Sequence, residues 1–556
     1  MELLSFLFFI SLLILTGPLL GLYIAKIFSG KLLPGERFIY RLLRIDKDEE
    51  MDWKTYAFNL LVFNLIGLIV LFLILIFQNF LSLNPQGFKG FPWDLALNTA
   101  VSFVTNTNWQ AYSGENSASY ISQMLGFTVQ NFLSAATGIV LAVVMARGIK
   151  RTETSYIGNF WVDITRATLY VLLPIAFVSA FFLVSQGVPQ NLDPYLKVQL
   201  LDPAIKGKEQ TLPMGPVASQ EAIKLLGTNG GGYFGANSAH PFENPTPLSN
   251  LFESLLMLLI PSAMPIAFAK LTGRKKFGWV IFGVMLFLFF SALLLLYYFM
   301  SMPHPDFARM GVEGPYVEGQ ETRFGVSGSA LFGAVTDSAE TGAVNGMFDS
   351  YLPLAGMVLM LLMGVSSVFG GAGIGLVNML AYAIIAAFIG GLMVGRVPEF
   401  LQKKLSPRDM WASVVIAFTS TVLALVFTSI ALYTKVGTRS ILNAGPHGIS
   451  EVFYAYLSTA NNNGSAFAGL DANTLFYNLT TAFVMFIARF IPVIMSVYLA
   501  GSFAEKKQVP TGQSLQQESF TFAVWFIFIL LLLNVLGFFP VLSMGPILEH
   551  LLLYGG

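Results

Sequence analysis

The sequence predicts an all-α polytopic membrane protein of ten transmembrane helices. Four pseudo-repeated helix–pore-loop–helix modules surround a central pore, with one further helix at each end of the chain. Three observations predict this. Hydrophobic residues fill 55% of the 556 positions and charged residues only 11%, far from a soluble average. Ten apolar runs reach the roughly 20 residues that a helix needs to cross a hydrocarbon core of about 30 Å. Four shorter apolar runs, each followed by a polar Gly/Asn/Thr loop, recur about every 110 to 125 residues, the long period that internal duplication leaves.

Composition also excludes classes. Net charge is zero and no basic cluster is interleaved with aromatics, so no nucleic-acid partner is expected. The absence of cysteine rules out disulfides, thiol catalysis and Cys-ligated metals. His240, His304, His447 and His550 stand in no zinc-type spacing. There is no Walker loop and no aspartyl-phosphate loop, and the longest predicted cytoplasmic segment, under about 35 residues, is too short for a domain. The chain is expected to carry no catalytic site and no organic cofactor.

In order, the long runs are 3–27, 56–81, 119–146, 164–184, 251–271, 277–300, 352–391, 410–432, 474–500 and 520–542. Glu2 in place of a basic n-region, and the length of the first run, argue for a retained helix rather than a signal peptide. Short basic connections alternate with long Gly/Pro/Asn-rich ones. The basic ones hold Lys31, Arg37, Arg41, Arg44, Lys47 and Lys54, then Arg147, Lys150 and Arg151, then Lys270, Arg274, Lys275 and Lys276, then Arg396, Lys403, Lys404 and Arg408. The positive-inside bias turns these to the cytoplasm and leaves both termini outside. The organisation expected is 1–55 for the first helix and its loop, pore modules at 56–150, 151–275, 276–408 (with a broken helix) and 409–505, and a last helix in 506–556.

The short runs at 93–103, 217–226, 327–337 and 449–458 are expected to re-enter the membrane rather than span it. Irregular backbone survives at that depth only where protein buries it or a water-filled space adjoins it. The second loop, Gly227-Thr228-Asn229-Gly230-Gly231-Gly232, shows what such loops are for. Its glycines reach positive φ without a Cβ clash, so successive carbonyls can converge and replace the water around a dehydrated cation. Singly, such loops read as outer turns; fourfold recurrence in register argues for a filter. Nearly uncharged, they suit a monovalent ion better than a divalent one held by carboxylates. Glu340 is the exception, expected just above the site.

Two features point below the filter. The run 352–391 is too long for one span and is interrupted at Gly370, Gly371, Gly373 and Gly375. Close helix packing explains an isolated small-residue pattern, whereas a broken helix lining a cavity explains both length and glycines. Arg489 sits among apolar neighbours, where a central arginine costs about 2.5 to 3.5 kcal/mol. Snorkelling to headgroups is the alternative; the cavity below the filter is the expected place.

At these residues the sequence resembles the potassium-binding, channel-like subunit of the bacterial Kdp potassium pump, within the superfamily of Trk, Ktr and HKT transporters. The resemblance rests on three long strings that reach across the chain. They are Val104 to Gln110 with Tyr112 to Glu115, Gly227 to Gly232 with Asn237 to Pro245, and Asn443 to Gly448 leading into Ala460 to Gly469. It implies filter positions at Thr107, Asn108, Gly230, Gly232, Gly342, Asn463 and Gly464, with K+ bound by backbone carbonyls, and a gating loop over 369–375 with Arg489 below the filter. It further implies a P-type ATPase subunit that alone uses ATP, two small accessory membrane subunits, a sideways intramembrane tunnel, and the bacterial inner membrane. One departure stands out: the family commonly has a glutamate three residues before Phe369-Gly370-Gly371, and here that position is Ser366. Arg396, which the family also carries, is present. A self-sufficient Trk/Ktr-type channel or ion-coupled transporter, and a carrier of a small organic solute, are the competing readings.

Overall fold

The computed structural model describes residues 2–30, 33–201, 207–509 and 516–555, so Lys31 lies outside it. Among the described residues ten helices are long and apolar enough to cross a membrane. They are Glu2–Ile27, Trp53–Phe80, Ser122–Lys150, Phe160–Ser185, Pro247–Thr272, Lys275–Arg309, Ile374–Met393, Pro407–Tyr433, Leu475–Glu505 and Phe520–Tyr554. The long seventh run divides as expected into Pro353–Val365 and Ile374–Met393, with a loop between.

These helices form an inner wall and an outer rim. The most apolar stretches of Ser122–Lys150 and Pro247–Thr272 are buried over 83% and 78% of their length, against 22% for Glu2–Ile27 and Trp53–Phe80. The rim leaves residues such as Leu4, Phe58, Phe177 and Leu536 exposed, an apolar belt suited to hydrocarbon or to apolar partner helices. Helix Glu2–Ile27 lies against Pro247–Thr272 by way of Gly17 and Gly21. A Cβ at Gly17 would stand 2.4 Å from Ser262 Oγ, and one at Gly21 2.5 Å from Ala263 O, so only small residues allow this approach.

Each module contains a short re-entrant helix: Trp93–Val104, Val217–Leu226, Gly325–Ser338 and Pro446–Ala460. The longest of them has 15 residues, short of the roughly 20 that a span requires. Capping residues mark where some of the returning helices begin. Thr246 with Ser249 and Ser406 with Asp409 form capping boxes ahead of Pro247 and Pro407, which fit the first helical turn because it needs no N–H there.

Three two-stranded antiparallel ribbons were not expected from the sequence: Met51–Asp52 with Tyr156–Gly158, Leu196–Gln199 with Glu209–Leu212, and Glu399–Phe400 with Lys403–Lys404. Two of them organise the basic side of the molecule. Several of its cations are internal braces rather than solvated charges. Arg147 makes a two-pronged pair with Asp163 at 2.8 and 2.9 Å, and Tyr56 donates to the same carboxylate at 2.9 Å. Lys403 is buried, its Nζ donating to the carbonyls of Arg151, Phe503 and Lys506 at 2.5, 3.0 and 2.7 Å. Burial, with Lys506 nearby as the smaller cause, brings the Lys403 amine down to about 8.

Candidate functional site: a ring of carbonyls on the module axis

Each re-entrant helix hands over to three residues in one alternating conformation. The first and third are left-handed: Asn106 and Asn108 at φ 66° and 52°, Thr228 and Gly230 at 49° and 80°, Glu340 and Gly342 at 52° and 75°, Asn462 and Gly464 at 55° and 107°. The middle residues, Thr107, Asn229, Thr341 and Asn463, are not. Alternation of hand turns successive carbonyls toward one side, the arrangement from which a carbonyl filter is built.

The four segments meet in sequence around an axis. A Cβ at Gly230 would stand 1.7 Å from Thr341 O, one at Gly342 2.1 Å from Asn463 O, and one at Gly464 2.0 Å from Thr107 O. Each glycine thus lies against the middle carbonyl of the next module, and any larger residue would displace it. At the fourth junction Asn108 donates from Nδ2 to Gly230 O at 3.0 Å. Of the predicted filter residues, Thr107, Asn108, Gly230, Gly342, Asn463 and Gly464 stand in this ring. Asn229 and Thr341, not singled out in the sequence, complete it. Gly232 stands two residues further along its loop, its N–H and C=O both held by the Gln110 side chain at 2.9 and 3.0 Å.

Polar side chains behind the ring fix it. Asn106 donates to Thr228 O at 2.7 Å and accepts from Asn229 Nδ2 at 2.6 Å and Ser134 Oγ at 2.8 Å. Asn462 donates to Thr107 Oγ1 at 3.0 Å and Met485 O at 3.2 Å. Asp337 accepts from Asn463 Nδ2 at 3.2 Å and from the Tyr454 and Ser465 hydroxyls. Behind the second loop, Lys224 is buried between Glu221 and Glu243, 2.7 Å from each, while Glu243 accepts the Phe234 N–H at 2.7 Å. Neither Asp337 nor Lys224 was anticipated. The available signal was charge inside an apolar re-entrant helix, with Glu221 and Lys224 three residues apart on one face.

The glycine-broken loop lies against the inner ends of two modules. Gly370 N donates to Ser338 O, and Ala372 N to Thr228 Oγ1, each at 2.8 Å. A Cβ at Gly373 would stand 2.2 Å from Gly138 O, and Gly371 lies in the same tight path; Gly375, expected within the loop, is instead in the first turn of helix Ile374–Met393, packed against Phe369 O. Arg489 is 4% exposed and donates to Ser134 O at 3.3 Å, and no carboxylate pairs with it among the described residues. It borders a small cavity together with Ser366, Asn378, Asn461 and Glu340. Glu340 therefore stands on the inner side of the ring and not above it. The reason is geometric: the re-entrant helix ends at its deepest point and the chain climbs back from there, so the first loop residue is the lowest.

At the N-terminal end of the re-entrant helix Pro446–Ala460, Asp349, His447 and Glu451 bring ligand-type atoms within 4.8 Å of one another. His447 spends Nδ1 on Glu549 at 2.8 Å and Nε2 on Asp349 at 3.1 Å, which makes the group a clamp on the C-terminal helix. Burial alone would lower the imidazole's pKa; the two carboxylates outweigh it and push it up to about 10.

Fold and ring together define a four-module, pore-loop membrane protein. The solved potassium transporter TrkH from Vibrio parahaemolyticus shares this fold, with a TM-score of 0.54 at 14% identity over 89% of this chain and 99% of that one. The model of the KdpA family, the potassium-transporting ATPase A subunit, matches residues 7–551, and the chain belongs to that family. Curated relatives named potassium-transporting ATPase potassium-binding subunit are 52% identical in Hydrogenobaculum sp. (100% of this chain, 99% of the relative) and 48% identical in Geobacter sulfurreducens (98% of each).

Proposed function

We propose that this chain captures K+ from the extracytoplasmic side in the carbonyl ring and delivers it sideways, through an intramembrane tunnel, to a P-type ATPase subunit. The observation that carries this reading is the shared alternation of hand at 106–108, 228–230, 340–342 and 462–464, which presents neutral oxygens to a dehydrated monovalent ion. The four re-entrant helices end at the ring's inner face, and their C-terminal partial charges favour a cation there. The names of the relatives support potassium and the ATPase partner; ATP hydrolysis belongs to that partner, and two small accessory membrane subunits complete the complex. The basic loops face the cytoplasm of a bacterial inner membrane and both termini face outward.

A filter alone conducts in both directions, so a chain that feeds a pump must close the straight path. The loop 366–373 and the cation of Arg489, which no carboxylate pairs among the described residues, supply a plug and an electrostatic barrier at that point. Purification from its native membrane in mild detergent tests the assignment. The expected outcome is a co-purifying ATPase in stoichiometric amount and ATP-dependent 86Rb+ accumulation by the reconstituted complex. ATP-independent accumulation by the chain alone would assign it instead to the self-sufficient transporters.

A further inference from the structure

The four pseudo-equivalent positions 106, 228, 340 and 462 share a left-handed backbone at the inner edge of the ring. Three of them use their side chains to bind a neighbouring segment. Asn106 reaches Thr228 O, Thr228 Oγ1 accepts from Ala372 N, and Asn462 reaches Thr107 Oγ1. The fourth breaks the pattern. Glu340 is the only charged residue of the set, it is 3% exposed, and its carboxylate oxygens have no hydrogen bond of normal geometry from the described protein, the Ser366 hydroxyl alone coming near one.

That carboxylate borders a cavity of about 20 Å³, room for a single water-sized particle. Asn461 also lines it; its Nδ2 donates to Leu457 O at 3.0 Å while its Oδ1 is left without a partner. Ser366 and Ser420 add hydroxyl oxygens to the wall. Arg489 is the only cationic residue bordering the cavity, and no ion pair joins it to Glu340 among the described residues. A buried carboxylate with no donor beyond one nearby hydroxyl demands either a proton or a cation.

We propose that Glu340, with Asn461 Oδ1, forms a second site for a dehydrated monovalent cation on the inner side of the ring, displaced toward the wall that carries the broken helix. With a single carboxylate, and with Arg489 bordering the same cavity, the site carries too little negative charge for a divalent ion, which takes six or more oxygens and commonly several carboxylates. The site holds an ion that has left the ring on the side of the third and fourth modules, and Arg489, which borders the same cavity, opposes its passage further inward. This inference rests on the carbonyl ring being the K+ filter.

The test is Rb+ anomalous diffraction from crystals of the assembled ATPase complex, paired with Rb+ dependence of its ATP hydrolysis. Wild type should show one peak in the ring and one beside Glu340. Glu340→Gln should keep the ring peak, lose the cavity peak, and lower turnover at saturating Rb+ at least tenfold while apparent affinity changes less than threefold. Glu340→Ser combined with Ser366→Glu returns a carboxylate to the same cavity from the neighbouring position and should restore both the peak and turnover. A wild-type ring peak with an empty cavity overturns the second site and leaves the filter standing, and it does so even if Glu340→Gln fails to assemble. An empty wild-type ring sinks the filter reading and this inference with it. Unchanged turnover in Glu340→Gln overturns the role in transport.

Discussion

Gly464→Ala is the sharpest perturbation of the ring. Gly464 has φ 107°, and a Cβ there would lie 2.0 Å from Thr107 O, whereas real Cβ contacts do not fall below 3.0 Å. Either the Gly464 backbone or the Thr107 carbonyl must therefore move by about 1 Å, and that carbonyl is a ring oxygen. Holding alanine in the left-handed region costs about 1 to 2 kcal/mol more. That strain acts on folding; the displaced ring oxygen acts on binding, where loss of one contact to a charged group costs about 1.5 to 3 kcal/mol, about 10- to 150-fold in apparent K+ affinity. The assay is K+-stimulated ATP hydrolysis of the purified complex, with thermal unfolding as a check on integrity. Gly333→Ala is the internal control. Gly333 lies mid-helix in the third module, and the nearest atom to its Cβ would be 3.5 Å away, an ordinary contact. It should change affinity less than twofold and leave stability equal or better. A folded Gly464→Ala complex with K+ affinity within twofold of wild type would refute the ring assignment.

Arg489→Met should open a downhill leak: 86Rb+ efflux from proteoliposomes without ATP is expected to rise at least tenfold, and a variant as tight as wild type would assign Arg489 to packing. Lys224→Met leaves Glu221 and Glu243 buried without their cation, so a loss of about 3 to 5 kcal/mol is expected, read as a lower unfolding temperature or failed assembly. His447 carries a pH signature. Its folded pKa, about 10, exceeds the ordinary 6.5, so its stabilising contribution is complete below about pH 6.5 and fades as pH rises toward 10. The gap in melting temperature between wild type and His447→Gln should narrow over that window, and a pH-independent gap contradicts the clamp. Lys403→Met forfeits three carbonyl contacts between loops on the basic side, and proteolysis within 151–158 or 503–507 should accelerate at least fivefold.

The spans, the re-entrant helices and the break at 366–373 were legible because each leaves a one-dimensional trace: run length, glycine density, or a period near 120 residues. The ring's register was half legible. Glycine marks the left-handed third position in three loops, but Asn108 takes that position in the first, and the middle residues Asn229 and Thr341 carry no compositional mark, since only their backbones face the axis. What stayed hidden depends on pairs far apart in sequence. Lys403 reads as a loop cation until Arg151 and Phe503 are seen to surround it, and Glu340 reads as an outer charge until the depth of its helix end is known. The departure at Ser366 is visible in the sequence, but that Glu340 brings a carboxylate to the same cavity is visible only in three dimensions.

Because the ring is written four times into one polypeptide, its quarters are free to differ. In a filter assembled from four identical chains, one codon change alters every quarter at once, and any lateral preference is cancelled by symmetry. Here a substitution reaches a single quarter, so selection can grade affinity in small steps and can favour one direction of departure over the other three. The lone charge at Glu340, set among Asn106, Thr228 and Asn462, is a difference that a fourfold oligomer has no means to encode.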